Sequence, residues 1–547
     1  MSARDSSPGN VTVRLVDRHL RSGAGERIAV LEPDRPPLSY EQLWSSMGRV
    51  ASFLGAAGVR PGDRVALLLA DSREFVFAFL GCSRIGAVAV PLNPGCDAEL
   101  LQHFLADSGS VLLFTGGRCR ELASALRRDS LPSLRDVVDV DASPWDGFPE
   151  TREPRATRGD DEAFWLYTSG TTGAPKAAVH SHAAIHACVD GYAEDVLSIE
   201  PGDVAFSTSK LFFAYGLGNS LLFPLAAGAT AVLNPERCDA ATVARIAGEF
   251  SPTLFFSVPT LYSRYLDRPE TITREGLGSV RRFVSAGEYL PAEVFERWLE
   301  RTGRPILDGI GTTEAMHIFC SNRPGRLRAG TSGCPVRGYD LRIAGDDGEP
   351  VRRGEIGHLL VRGASTCLGY RIGGRLERSS HDGEWLRTGD LYSQDDDGFF
   401  VYEGRRGDSF KSAGLWVSPV KIERALLESE DVREAVVIAA PGSDGILGPK
   451  AFVVPAEPAR SHAPGRLVER LRDRLCERLA RHEVPHAIEV VGDLPRTATG
   501  KVARRSLPGL EPIPDPDPPA VQRFGGARPS RAPGCLDREP AKERSCP

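Results

Sequence analysis

The sequence predicts an α/β protein. It has a large N-terminal domain of layered parallel sheets with helices, then an antiparallel β subdomain, then a small C-terminal α+β domain. Three observations carry the prediction. From Ser39 to about Ala286, apolar runs alternate with amphipathic helical stretches, the pattern of a parallel sheet covered by helices. After about Gly325, Gly, Arg and Asp become frequent and short alternating strands take over. A shorter mixed unit begins near Arg405.

The elements follow in order. Ser39-Tyr40-Glu41-Gln42 has a capping-box pattern and opens a helix running to about Ala57, which Gly58 stops. Pro61-Gly62-Asp63 is a turn before the buried strand Arg64–Leu69. A helix from about Glu74 to Ile85 leads to the strand Ala87–Leu92. Further strands are expected at Val111–Phe114, Ala163–Tyr167, Ala229–Leu233, Thr253–Val258 and Arg281–Ala286. The stretch Leu211–Pro235 has no charge, but Gly216, Gly218, Asn219, Pro224 and Gly228 interrupt it. It reads as a buried strand–turn–helix rather than a membrane span. Glu355–Arg362 alternates as an antiparallel strand should. The last unit has a helix near Pro419–Glu428, strands Ala435–Ile438 and Ala451–Val454, and a charged helix from about Gly465 to Arg481. Residues 509–547, rich in Pro, Arg, Gly and Asp, read as a disordered tail.

Length and composition narrow the function. The 547 residues exceed one core, so about three to four domains or subdomains are expected. A net charge of −6 gives no electrostatic case for nucleic acid or an anionic membrane. Eleven scattered cysteines without C-x-x-C fit reduced thiols, and the polar start Met1–Asp5 lacks a signal-peptide core, so a cytoplasmic location is expected.

Five stretches carry chemistry. Thr168-Ser169-Gly170-Thr171-Thr172-Gly173-Ala174-Pro175-Lys176 offers hydroxyls, glycine-enabled backbone N–H groups and one mobile cation, with no carboxylate. Such a loop suits a phosphate, though the spacing is not that of a Walker A loop. Asp308-Gly309-Ile310-Gly311-Thr312-Thr313-Glu314 reads as a glycine-spaced turn after Ile306-Leu307, ending in a carboxylate that could hold Mg²⁺. Asp390, after Gly389, could take the hydroxyls of a ribose. Gly404–Lys411 marks the junction between the large and small units, and Lys501 follows a Thr/Gly turn near the end of the folded chain. The histidines His180, His182 and His186 follow the phosphate loop; without an H-E-x-x-H pattern they read as packing at a helix start.

In this order and spacing the five stretches resemble the acyl-adenylate-forming superfamily of acyl- and aryl-CoA synthetases, peptide-synthetase adenylation domains and beetle luciferases. The resemblance covers about residues 10–508. The finer likeness, to benzoate- and hydroxybenzoate-CoA ligases, rests on Lys210–Asn219, Asp308–Gly311 and His317-Ile318-Phe319. It implies a distorted antiparallel subdomain within an N-terminal domain of residues 1–404, and a mobile C-terminal domain of residues 405–508. It also implies two steps: a carboxylate attacks the α-phosphate of ATP, releasing pyrophosphate, and the thiol of coenzyme A then displaces AMP.

Site residues are carried over by motif. Thr168, Ser169, Gly170, Thr171, Thr172, Gly173 and Lys176 would cradle the outer phosphates. Thr313 and Glu314 would lie by the α-phosphate and Mg²⁺, with Asp308, Gly309, Ile310 and Gly311 beside the nucleotide. Asp390 and Arg405 would hold the ribose. Lys501 would reach across from the small domain to the reacting groups. After rotation about Arg405–Asp408, the stretch Lys411, Gly414, Leu415 and Trp416 would face the thiol tunnel. Two departures stand out: Gly407, next to Asp408, takes the usual acidic or lysine hinge position, and Ile310 replaces the common aromatic next to adenine.

The acid pocket would be built from Phe212, Ala214, Tyr215, Gly216, Ala286, Gly287, His317 and Ile318, a flat and mostly apolar set suited to an aromatic ring. No acid occupies Ala214-Tyr215-Gly216, where relatives that activate amino acids carry an aspartate. The expected partners are an aromatic acid, ATP and coenzyme A. A carrier protein is the alternative thiol donor, and a homodimer is an allowed state. A non-catalytic binding protein of the same fold is the reading from another class, against which the retention of Lys501, Glu314 and the phosphate loop argues.

Overall fold

The computed structural model describes residues 9–151, 153–169, 175–412, 415–442, 447–456, 464–496 and 502–508. The expectations for Gly170, Thr171, Thr172, Gly173, Gly414, Lys501 and the 509–547 tail lie outside the described residues.

Two large sheets organise the N-terminal part. One runs, in spatial order, Arg375–Glu377, Gly369–Ile372, Pro175–Ser181, Glu162–Ser169, Val88–Pro91, Arg64–Leu68, Leu112–Thr115 and Asp136–Asp139. Its half from Glu162–Ser169 to Asp136–Asp139 is parallel; the rest is antiparallel. The second has a parallel centre, from Ile306–Gly311 through Arg282–Ser285, Leu254–Ser257, Val204–Ser207 and Thr230–Val232 to Ile28–Leu31, with antiparallel edges. Apolar runs make these strands because both faces are covered.

The helix Tyr40–Ala56 starts at Ser39 with the expected reciprocal cap: Ser39 Oγ accepts from the Gln42 N–H, and the Gln42 side chain accepts from the Ser39 N–H. The neighbouring helix Arg73–Ile85 is buried almost all round, including Phe75, Phe77 and Phe79, as befits a helix enclosed by other layers. It ends at Gly86, whose φ of 75° suits a left-handed cap.

Two expectations need correction. Leu211–Pro235 is not strand–turn–helix: a helical run over Ala214–Ala227 comes first and the strand Thr230–Val232 follows. The apolar density that resembled a strand is explained by a helix packed on several faces, with Leu217, Leu221, Leu222, Phe223 and Leu225 all buried. Asp308–Gly311 is not a turn but the end of the strand Ile306–Gly311, paired antiparallel with Ile318–Ser321. The glycines are there for close approach: a Cβ on Gly311 would lie 2.4 Å from His317 O, and one on Gly309 2.7 Å from Cys320 O.

An antiparallel sheet follows, built from Tyr339–Ala344, Gly357–Gly363, Trp385–Gln394, His381–Asp382 and Phe400–Arg405. The last unit packs the helices Pro419–Leu427 and Pro464–Arg478 with the strands Val432–Pro441, Leu447–Pro455 and Ala487–Val490. Among the described residues, no helix is long and apolar enough to cross a membrane.

Candidate active site

Two paired strands flank the phosphate-loop motif. Glu162–Ser169 pairs antiparallel with Pro175–Ser181, Thr168 opposite Lys176 and Ser169 opposite Pro175. Alternation puts Thr168, Leu166 and Phe164 on one face with Lys176, Ala178 and His180. Tyr370, opposite Ala178 on the next strand, shares that face.

There it meets two of the predicted residues. Lys176 Nζ lies 5.8 Å from the centroid of the Tyr370 ring, and Tyr370 Oη donates to Glu314 Oε1 at 2.6 Å. Among the described residues, Lys176 makes no hydrogen bond or ion pair, and the Glu314 carboxylate accepts only this phenol. Glu314 itself is anchored through its backbone, where its carbonyl accepts from the Cys367 N–H. A carboxylate with a neutral donor and no cation suits a hard divalent ion, so the residues present fit Mg²⁺. Tyr370 was not singled out in the sequence; its Gly369-Tyr370 setting offered no residue type that marks phosphate or metal chemistry.

The hairpin loop that holds Thr313 and Glu314 also holds His317 and Ile318, which lead into the strand Ile318–Ser321. His317 is buried, its Nε2 3.1 Å from Asn219 Oδ1. Its ring centroid lies 5.3 Å from Tyr215, 5.2 Å from Tyr192 and 4.6 Å from Phe223. Burial pushes the His317 imidazole down to about 3, so it is neutral at working pH. Tyr215 Oη reaches the carbonyls of Ser257 and Val284, both at 3.3 Å, at the ends of two parallel strands. The Phe212 and Phe213 rings lie 4.4 Å apart just before the helical run of Ala214 and Gly216. Ala286 is buried, and Gly287 turns the chain with a φ of 93°. Sequence reasoning missed Tyr192 and Phe223, which no motif marked, and gave no role to Asn219, the last residue of the Lys210–Asn219 stretch.

Asp308 is buried at the end of its strand, opposite Ser285. Burial holds its carboxyl well above the usual range. Ile310 is half-buried against the main core, on the same strand as Gly309 and Gly311.

Asp390 and Arg405 are cross-strand partners, and Arg405 Nε donates to the buried Asp390 Oδ1 at 3.0 Å. Next to them the chain turns: the N–H groups of Asp408 and Ser409 both reach Arg405 O, and no atom would lie within 4 Å of a Cβ on Gly407. Lys411 stands opposite Trp416 in the hairpin Phe410–Ser412 with Leu415–Val417, and Leu415 is exposed. Arg496 and Val502, on either side of Lys501, form an isolated antiparallel bridge. This end of the small unit meets the helix Pro259–Leu266: Arg496 Nη1 donates to Thr260 Oγ1 at 3.2 Å, and Arg264 pairs with Asp493 at 3.2 Å. Thr260 in turn donates to Glu288, next to Gly287.

The predicted histidines are core residues. His180 stacks on Phe164 at 4.8 Å, and burial pushes His180 and His182 each down to about 4. A cavity of about 700 Å³ lined by Arg64, Trp165, Glu162 and Arg371 lies toward the start of the strand Glu162–Ser169, away from Thr168.

Comparison with known proteins shows the family. Residues 17–371 match the AMP-binding enzyme family, and residues 421–501 match the AMP-binding enzyme C-terminal domain. The chain is 40% identical over 513 residues to a 4-hydroxybenzoate–CoA/benzoate–CoA ligase of Rhodopseudomonas palustris, spanning 91% of this chain and 93% of that one. An anthranilate CoA ligase solved in complex with anthranoyl-AMP superposes with a TM-score of 0.86 at 35% identity, over 92% of this chain and 98% of the other. A benzoate CoA ligase from Burkholderia xenovorans LB400 gives 0.83 at 35% identity, over 91% and 99%. The paired strands around Lys176, the Glu314 loop and the Asp390–Arg405 pair sit in a chain that shares sequence and fold with these proteins over about nine-tenths of its length: it belongs to the AMP-binding enzyme family.

Proposed function

We propose that this chain adenylates an aromatic carboxylic acid, benzoate or a hydroxy- or aminobenzoate, with ATP and passes the aryl group to coenzyme A. One observation carries the reading. A single hairpin loop, Gly311–Ile318, bears Glu314 beside Lys176 and Tyr370 at one end and His317 among aromatic rings at the other. Phosphate chemistry and a ring pocket are thus a few residues apart. The ring pocket is neutral at His317, which favours an uncharged ring. The names of the relatives, benzoate, hydroxybenzoate and anthranilate ligases, support the same class.

In the proposed sequence the acid's carboxylate oxygen attacks the α-phosphorus and pyrophosphate leaves. Two anions approach, so positive charge and N–H donors must surround them. Lys176 and Thr168 would take the outer phosphates, Thr313 the α-phosphate, and Asp390 with Arg405 the ribose. Magnesium held at Glu314 would neutralise phosphate charge. Lys501 would bridge the carboxylate and the α-phosphate only when the small domain, residues 405–508, closes on the large one, residues 1–404. In the second step the thiol of coenzyme A attacks the acyl carbon, loses its proton and expels AMP. The turn at Gly407-Asp408 would permit the domain rotation between steps, bringing Lys411, Gly414, Leu415 and Trp416 to the thiol path.

The test is pyrophosphate exchange and AMP release across a panel of aromatic, fatty and amino acids, with and without coenzyme A. Benzoate or a substituted benzoate should support pyrophosphate exchange and, with coenzyme A, give AMP and a thioester. No pyrophosphate exchange and no AMP with any aromatic acid would remove the reading. Pyrophosphate exchange without a CoA thioester would favour a carrier protein as acceptor.

A further inference from the structure

Lys176 and Glu314 are opposite charges on one face of the site, yet they are not paired with each other. Tyr370 stands between them. Its ring faces the Lys176 ammonium at 5.8 Å, and its hydroxyl donates to Glu314 Oε1 at 2.6 Å. The tyrosine is held in place by its strand, where Gly369, Tyr370 and Arg371 pair with Val179, Ala178 and Ala177. Glu314 is held by the same segment, since the Cys367 N–H donates to its carbonyl and Ser365 Oγ donates to Ala315 O at 2.7 Å. The geometry therefore fixes three parts relative to one another: a cation, an aromatic spacer and a carboxylate.

We propose that Tyr370 is a positioning residue that keeps Lys176 and Glu314 apart and aimed, so that neither neutralises the other before Mg·ATP arrives. A direct lysine–glutamate pair would satisfy both charges within the protein, and binding would then have to break it. A cation on a ring face is attracted more weakly and stays available for a phosphate. A carboxylate that accepts one neutral hydrogen bond is oriented but keeps its charge for a metal ion. The inference rests on the proposed role of Glu314 at the metal.

The test compares Tyr370→Phe, Tyr370→Ala and Glu314→Gln. Binding of Mg²⁺ with a non-hydrolysable ATP analogue, and of the analogue alone in EDTA, is measured by calorimetry. Turnover of supplied aryl-AMP with coenzyme A is the second readout. Tyr370→Phe keeps the ring but frees Glu314, and should weaken Mg²⁺-analogue binding about tenfold, the usual loss of one hydrogen bond to a charged group. Binding in EDTA and thioester formation should change less than about twofold. Tyr370→Ala should weaken binding further, because Lys176 and Glu314 can then pair. Adding Glu314→Gln to Tyr370→Ala should cost little more, since the pair is the shared cause. Wild-type binding by Tyr370→Phe, with weakened binding by Glu314→Gln, would overturn the role of Tyr370 and leave that of Glu314. Wild-type binding by Glu314→Gln would overturn the role of Glu314 and with it this inference. Equal loss in both half-reactions with a lowered Tm would mark Tyr370 as structural only.

Discussion

Replacing Asp71 by Asn should stabilise the protein, and by an amount that depends on pH. Asp71 follows the strand Arg64–Leu68 and is 4% exposed; its Oδ1 accepts from the Leu211 N–H at 2.9 Å, just before the ring pocket. Burial pushes its carboxyl up from 3.8 to about 6, against the pull of the Lys210 charge and the Leu211 N–H. A carboxyl whose pKa is raised on folding favours the folded state only while protonated, so its contribution is present at low pH and lost as pH rises through about 6. The rise to about 6 corresponds to about 3 kcal/mol above pH 7, about 1.5 kcal/mol at pH 5 and about 0.5 kcal/mol at pH 4. Asn keeps the oxygen that accepts from Leu211 and removes the charge, so Asp71→Asn should gain these amounts relative to wild type. Urea unfolding of both proteins at pH 5 and pH 8, with the difference plotted against pH, measures it. A difference that is the same at both pH values, or a variant less stable at pH 8, would refute the reasoning.

Three other perturbations follow the same logic. His180 must be neutral when folded, with a pKa of about 4 against 6.5, so its stabilisation is present above pH 6.5 and lost as pH falls; His180→Leu should reduce the loss between pH 7 and pH 5 by about 2 kcal/mol, read from unfolding midpoints at each pH. A Cβ on Gly218 would lie 2.5 Å from His317 Cδ2, so Gly218→Ala should raise KM for the aromatic acid about tenfold or more while KM for ATP changes little in steady-state assays. Lys501→Ala should lose adenylation, measured by pyrophosphate exchange, yet still convert supplied aryl-AMP to the thioester. Equal loss of both would contradict the bridging role.

Much of the fold was readable because period and punctuation were strong. Ser39 and Gln42 cap their helix as their spacing requires, and Gly58 follows that helix as expected. The alternation of apolar runs and helices found most parallel strands. Val204–Ser207 was missed, although it lies near the centre of its sheet, because four residues without alternation carry no period. Leu211–Pro235 was misread because a helix buried on several faces has no polar stripe.

The sequence by itself determined the chemical parts: a hydroxyl- and glycine-rich phosphate motif with Lys176, a carboxylate at Glu314, Asp390 and Arg405, and an aromatic set around Phe212, Tyr215 and His317. These are legible because the proposed recognition of phosphate, ribose and ring demands particular residue types at short spacing. Only the tertiary structure decided which distant residues complete them. Tyr370 reaches Glu314 across 56 positions and Asn219 reaches His317 across 98. The physical reason is that sheet order, not sequence order, sets neighbours: the strand Gly369–Ile372 crosses over to pair with Pro175–Ser181 and brings a tyrosine between two opposite charges.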